Sequence, residues 1–163
     1  MKINRVISKG YTLIELLVVV TISIILFSVG LAGYREFSRR QDLTGVSKSI
    51  TNDILLMQQY AMTGQKPVDA TCTKLMGYSF VRSSSGANYK IYANCNNNGT
   101  LVNTEIKSVD LADGVTFTAV TNSMQFKVLG AGTDLQTDNV ITITNSYSGN
   151  TALITIGKGG NIQ

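Results

Sequence analysis

The chain of 163 residues has no histidine and no tryptophan, one proline, two cysteines and only 15% charged residues. Each shortage removes a class of chemistry. Without an imidazole, a serine or cysteine nucleophile lacks its usual activating base. Two cysteines outside a C-x-x-C, with no histidine and no carboxylate cluster beside them, do not make a zinc site. No pair of carboxylates stands at a spacing suited to acid–base work, and no glycine-rich loop is shaped to cradle a phosphate. No internal repeat or low-complexity tract is visible. The expectation is a non-enzymatic chain with no cofactor and no resident metal.

Net charge is equally uninformative about a nucleic-acid partner. The formal value is +4, from 14 basic and 10 acidic residues. Lys2, Arg5 and Lys9 supply most of the excess; without them the balance is 11 against 10. The basic character therefore belongs to the first nine residues. The length suits one domain plus a membrane helix.

What the chain does have is an apolar run, Gly10 to Tyr34, reading GYTLIELLVVVTISIILFSVGLAGY. At ~1.5 Å per residue a helix of this length crosses a hydrocarbon core of ~30 Å. Its polar members Thr21, Ser23 and Ser28 are small enough to bond back to their own helix. Gly30 and Gly33 weaken the far end without forbidding helix. Glu15 is the one charged side chain inside, at a cost of ~2.5–3.5 kcal/mol at the bilayer centre and less near an interface. It lies near the start, where a carboxylate can reach for headgroups.

The residues ahead of the run are MKINRVISKG, followed by Tyr11-Thr12-Leu13-Ile14-Glu15. A short basic leader, a glycine, an aromatic residue, T-L-I-E and an apolar helix together resemble the type IV pilin superfamily of pilins, minor pilins and pseudopilins. The chain departs at Tyr11, where that family usually has Phe or Met. The resemblance implies cleavage by a membrane-embedded prepilin peptidase between Gly10 and Tyr11, and N-methylation of the new amine at Tyr11. Glycine suits the cut because it presents no side chain and permits extended backbone. The resemblance also implies a role for Glu15 in subunit assembly: pairing with the Tyr11 ammonium of a neighbouring subunit. A dry helix bundle makes an unpaired carboxylate costly, and a partner offsets the loss of water. The implied setting is single-pass in the bacterial cytoplasmic membrane with the N-terminus inside, then an extracytoplasmic pilus or pseudopilus. The implied partners are other pilin or pseudopilin subunits, the peptidase and an inner-membrane assembly platform. Arg35, Arg39, Arg40 and Lys48 follow the helix closely, so charge alone does not set the orientation. An ordinary secretory signal fits less well: its core is shorter, and only Gly30-Leu31-Ala32 resembles an A-x-A-like site.

Cys72 and Cys95 would pair in an exported protein, closing a loop of about 24 residues and contributing ~3 kcal/mol. Two buried free thiols are the alternative.

Past the apolar run, Leu43, Val46, Ile50, Ile54, Met57 and Ala61 recur at steps of three and four, one stripe of an amphipathic helix. Arg39, Arg40, Lys48, Asn52, Asp53 and Gln59 are assigned to its other faces, and Gly45 is its weak point. Gly64 is placed at C′, with Pro67 just beyond. Residues 11–63 are thus expected as one helix of ~80 Å. After Pro67 the pattern turns to short strands and Gly/Asn/Ser turns. Tyr78–Arg82 and Tyr89–Asn94 are read as a hairpin, 96–99 as a second turn, and Val115–Ala119 and Met124–Leu129 as strands joined around Asn122. A polar loop at 130–139 and a terminal hairpin of Val140–Thr144 with Leu153–Ile156 complete the chain. Period-two alternation there buries one sheet face, which the helical stripe would cover.

The expected fold class is α+β, the pilin fold, with a long N-terminal helix packed on an antiparallel β-sheet. Its parts are a leader at 1–10, a membrane or fibre-core helix at 11–34, the amphipathic half at 35–64 and a β-rich part at 65–163. Within the superfamily the chain looks closest to the GspH/FimT type. LLMQQYAMTGQKPV resembles that group's segment before its sheet, with Ala61 at the small position and Gln58 where a basic residue is common. ITITNSYSGNTALITIGKGGNI resembles its closing hairpin and glycine.

Three weaker signals have bland counterparts. Asp134, Asp138 and Asn139 offer oxygens for calcium, but the spacing is not an EF-hand loop and a solvated turn explains them. Arg82, Lys90, Lys107, Lys127 and Lys158 could line a surface for DNA, but a scattered solvated face is the preferred reading. Asn98-Gly99-Thr100 matches a glycosylation acceptor and is first a turn signal. The expected function is a structural subunit, a minor pilin or pseudopilin of a type IV pilus or type II secretion pseudopilus. The alternatives are a pilin-like DNA receptor and a bitopic anchor that never assembles.

Overall fold

The computed structural model describes residues 11–68 and 72–163, apart from the side chain of Ala32. The expected leader, with Gly10, lies outside the described residues. A single helix, α1, spans Leu13–Thr63, 51 residues, and the chain divides into two compact units after Ser38.

In the first unit the helix begins two residues later than expected because Thr12 caps it. The Glu15 backbone N–H donates to Thr12 Oγ1 at 3.3 Å, and Leu16 N–H donates to Thr12 O at 3.2 Å. The hydroxyls of Thr21, Ser23 and Ser28 donate to the carbonyls of Val18, Val19 and Ile24, each at 2.8 Å. The segment's polar side chains thus spend their donors on their own helix, as an apolar surround requires.

The second unit, Arg39–Gln163, holds the amphipathic half of α1 and all seven strands found among the described residues. Leu43, Ile50, Ile54, Met57 and Ala61 are buried, with Val46 packed against them. The helix stops as the sequence indicates. Gly64 takes φ +66°, its N–H donates to Ala61 O, and Gln65 N–H reaches Tyr60 O at 3.1 Å, the paired bonds of a Schellman end.

The α+β class holds, but the single expected sheet is two. The strands are β1 Lys74–Arg82, β2 Asn88–Asn97, β3 Thr100–Asp110, β4 Val115–Ala119, β5 Ser123–Lys127, β6 Asn139–Asn145 and β7 Thr151–Ile156. One antiparallel sheet runs β3-β2-β1-β5 and the other β4-β6-β7. The β1–β2 and β6–β7 hairpins are as expected. The strands joined around Asn122 are not a hairpin: β4 pairs with β6 and β5 with β1. Between them Arg82 N–H binds Asn122 O at 2.8 Å, anchoring the crossover from one sheet to the other. β5 also ends early, because Val128–Gly130 turns as a 3-10 helix. β3 was not anticipated; both of its faces are largely exposed, so it shows no alternation to read.

Helix and both sheets share one apolar core. Phe80 from β1 and Tyr89 from β2 stack at 4.8 Å, and Phe117 from β4 packs on both at 6.1 and 6.2 Å, tying the sheets together. Strand edges are managed. Loop residues Gly132 and Asp134 pair with β5, Gly86 with β4, and Gln163 with β7. β3 carries a bulge at Ile106, between the pairs Ile91–Lys107 and Tyr92–Glu105. Such an edge resists strand addition.

Asp53 corrects the sequence reading. Placed off the apolar stripe, it is nevertheless buried, accepting from Tyr89 Oη at 2.6 Å and from Lys107 Nζ at 2.7 and 2.8 Å. Burial, reinforced by the hydrogen bond to Asp53, holds the Tyr89 phenol above its ordinary value of 10.0. An unfolded chain ionises that phenol first, so this contribution to stability is complete below pH ~10 and is lost as pH rises further. Tyr89→Phe should flatten the alkaline limb of a thermal-midpoint-versus-pH curve; an unchanged limb would deny the assignment.

Cys72 and Cys95 form a disulfide with Cα atoms 5.1 Å apart, linking the stretch before β1 to β2. Replacing both with serine should lower unfolding free energy by about 3 kcal/mol in denaturant titration. A loss under ~1 kcal/mol would mean the closed loop is already restrained by its sheet.

Candidate functional site

The site begins where α1 begins. Thr12 is the N-cap, Leu13 and Ile14 open the first turn, and Glu15 stands at its third position. T-x-x-E is the capping-box pattern, in which the acidic residue also answers the positive end of the helix dipole. The sequence reading weighed Glu15 only as a tolerated charge or an assembly residue and missed this. Tyr11 is 84% exposed, and Tyr11, Glu15, Leu16, Val19 and Val20 line one shallow groove. The aromatic residue and the carboxylate therefore share a face.

Beyond Glu15 the surface is apolar. From Leu13 to Leu31 fourteen large aliphatic or aromatic side chains are exposed, and the most apolar window, with mean hydropathy 2.6, has none of its residues buried. At ~1.5 kcal/mol each, removing them from water gains on the order of 20 kcal/mol. That exceeds the ~3 kcal/mol cost of one carboxylate in a membrane several-fold. The helix is long and apolar enough to cross a bilayer.

The other sequence candidates do not converge. Asp134 accepts from Gln125 N–H at 2.7 Å, Asp138 from Lys158 N–H at 3.0 Å, and Asn139 from Thr121 N–H at 3.2 Å while buried. Each oxygen serves a different backbone amide, which explains these side chains without an ion. Of the five basic residues, Lys90 pairs with Glu105 at 2.7 Å and Lys107 with Asp53. Arg82 lies over the Phe117 ring at 6.0 Å and bonds Asn122. Lys127 and Lys158 lie apart from these, on β5 and in the C-terminal turn. Asn98 and Gly99 take φ +51° and +94° in the tight β2–β3 turn.

One cluster had no sequence signal, because its members are far apart in the chain. The Arg39 guanidinium lies 5.6 Å from the centre of the Tyr147 ring and donates to Tyr147 O at 3.4 Å. Tyr147 Oη donates to Asp113 at 3.0 Å, and that bond raises its phenol. The ring passes so close to Gly114 that a Cβ there would come within 2.1 Å of it.

Compared with models of protein families, with curated proteins and with solved structures, the chain matches none.

Proposed function

We propose that the chain is a structural subunit of a type IV pilin-like filament, a minor pilin or pseudopilin. In this reading it is cut between Gly10 and Tyr11, held in the cytoplasmic membrane by its apolar helix, and assembled through that helix. The observation that carries the reading is the pairing of two surfaces in one chain. An exposed apolar helix bears a single acid in its capped first turn, and a disulfide-linked domain has its sheet edges closed or bulged. Such a domain offers poor footing for growth by strand addition, so the helix is the surface left for self-association. A carboxylate beside the new Tyr11 amine's position supplies what a dry bundle needs to hold copies in register.

The test is the intact mass of the protein from cells with and without a prepilin peptidase. The expected result is loss of residues 1–10 and gain of one methyl group on Tyr11, only with the peptidase. One unprocessed mass in both strains would overturn the reading.

A further inference from the structure

We propose that the second unit, around the C-terminal end of α1, docks a partner protein through an acidic segment carrying one large apolar residue. The surface lies wholly within Arg39–Gln163, so it does not depend on the apolar helix. Two local irregularities turn apolar side chains outward there. Leu129 takes φ +56° and ψ +35°, a left-handed conformation that a branched side chain adopts rarely and at a cost. Its side chain is 80% exposed, so core packing does not offset that strain. The second irregularity is in β1. Tyr78 and Phe80 face the core, and a period of two would place Met76 with them. The bulge between Leu75 and Gly77 buries Leu75 instead and leaves Met76 exposed. Met62, in the last turn of α1, is exposed as well. These side chains belong to one patch. Gly77, next to Met76, pairs with Lys127, which leads into Val128–Gly130. Leu129 reaches to Gly64, where an added Cβ would lie 4.0 Å from it, and Met62 and Gly130 line one pocket. Apolar side chains gathered in this way mark an interaction site.

The pocket and its rim define the partner's chemistry. Ala61, Met62, Phe126, Lys127, Gly130 and Gly132 line a pocket of about 120 Å³. That admits one apolar side chain and is too small for an ordinary small-molecule site of about 300–1,000 Å³. Lysines surround it. Lys127 lines the pocket itself, Lys74 stands two residues before Met76 at the start of β1, and Lys158 adjoins the pocket residue Gly159; all three are exposed. Lys66 is close to Lys74, donating to the carbonyl of Thr73. Among the described residues, the carboxylates on this side are Asp134 and Asp138, which accept from the backbone amides of Gln125 and Lys158. The rim is thus basic on balance. A basic rim around an apolar centre complements an acidic segment with an apolar anchor. A second copy of this chain fits poorly, because two such patches face to face oppose lysine to lysine. A nucleic acid would draw on the lysines for its phosphates and leave Met62, Met76 and Leu129 in water.

The test is selection by the full chain, held in detergent, from a phage-displayed library of random short peptides. The expected consensus is one Leu, Ile, Met or Phe flanked by Asp or Glu. The selected peptide, made synthetically, should bind roughly tenfold or more weakly to Leu129→Gly, and likewise to Lys74→Glu combined with Lys127→Glu. Val120→Ser, at an exposed position between β4 and β5, should bind it unchanged. Leu129→Gly also separates docking from folding. Glycine takes a left-handed φ freely, so the thermal midpoint of that variant should hold or rise. A midpoint lower by more than a few degrees would make Leu129 a structural residue and overturn the proposal. No enrichment, selected peptides without acidic residues, or binding that Leu129→Gly leaves unchanged would each overturn it too. Duplex DNA is the remaining probe. If it binds more tightly than the peptide, and only the lysine substitutions weaken it, the rim serves nucleic acid and the protein docking surface is overturned.

Discussion

Glu15→Gln should leave cleavage after Gly10 intact and reduce the protein in sheared fibres at least tenfold. Glutamine keeps the reach of the T-x-x-E pattern and can still serve a capping box, so the start of α1 is preserved. What it loses is charge. In a bundle of apolar helices the Tyr11 ammonium of one copy would then face no anion. Breaking a buried pair by removing one partner costs about 3–5 kcal/mol. With 1.4 kcal/mol per tenfold, that is a hundredfold or more in association. Glu15→Ala should do the same with a small further loss from the cap. The measurement is the ratio of the chain in sheared fibres to that in membranes, by immunoblot. Normal fibre content in Glu15→Gln would assign Glu15 to helix capping alone and withdraw the pairing from the proposed function.

How much could be read before the structure depends on the range over which each feature is encoded. The stripe from Leu43 to Ala61 is a local property: 3.6 residues per turn repeats within the segment, and the buried set matches it. Gly64 and the terminal hairpin are equally local, a left-handed end and a turn between two alternating strands. β3 escaped because it lies at a sheet edge with both faces wet, so no apolar period marks it. β4 and β5 are joined around Asn122 as read, but their alternation reveals only that each has a buried face and nothing about which sheet receives it. Asp53 was placed on a face other than the apolar stripe. Only the register that sets Tyr89 opposite Val109, with Lys107 nearby on β3, shows why a carboxylate can sit beneath that sheet. Arg39 and Tyr147 are 108 positions apart, and no pattern within either segment links them. Of the candidate site, the Thr12–Glu15 start was fully visible as letters, although its capping geometry went unread.

That misread aspartate leads to the largest stability effect expected in the β domain. Lys107→Met should lower unfolding free energy by about 3–4 kcal/mol. The Asp53 side chain is only 9% exposed, whereas that of Lys107 is 45% exposed. The two partners are therefore unequal. Removing Asp53 frees an amine that can turn to water, and the main loss is the buried Tyr89 hydroxyl left without its acceptor, about 1–3 kcal/mol. Removing Lys107 strands a carboxylate under the sheet with Tyr89 as its chief remaining donor, and stranded charges are the costlier case. Methionine keeps the packing of the lysine stem, so the difference reports charge more than volume. Combining Lys107→Met with Asp53→Asn should recover most of the loss, because an amide needs no counter-ion and can still accept from Tyr89. Denaturant titrations of the two single variants and the double variant close the cycle. If Lys107→Met costs less than ~0.5 kcal/mol, or if the double variant is no better than the single, the pair behaves as an ordinary surface ion pair, and the hold it gives α1 on β2 and β3 is packing alone.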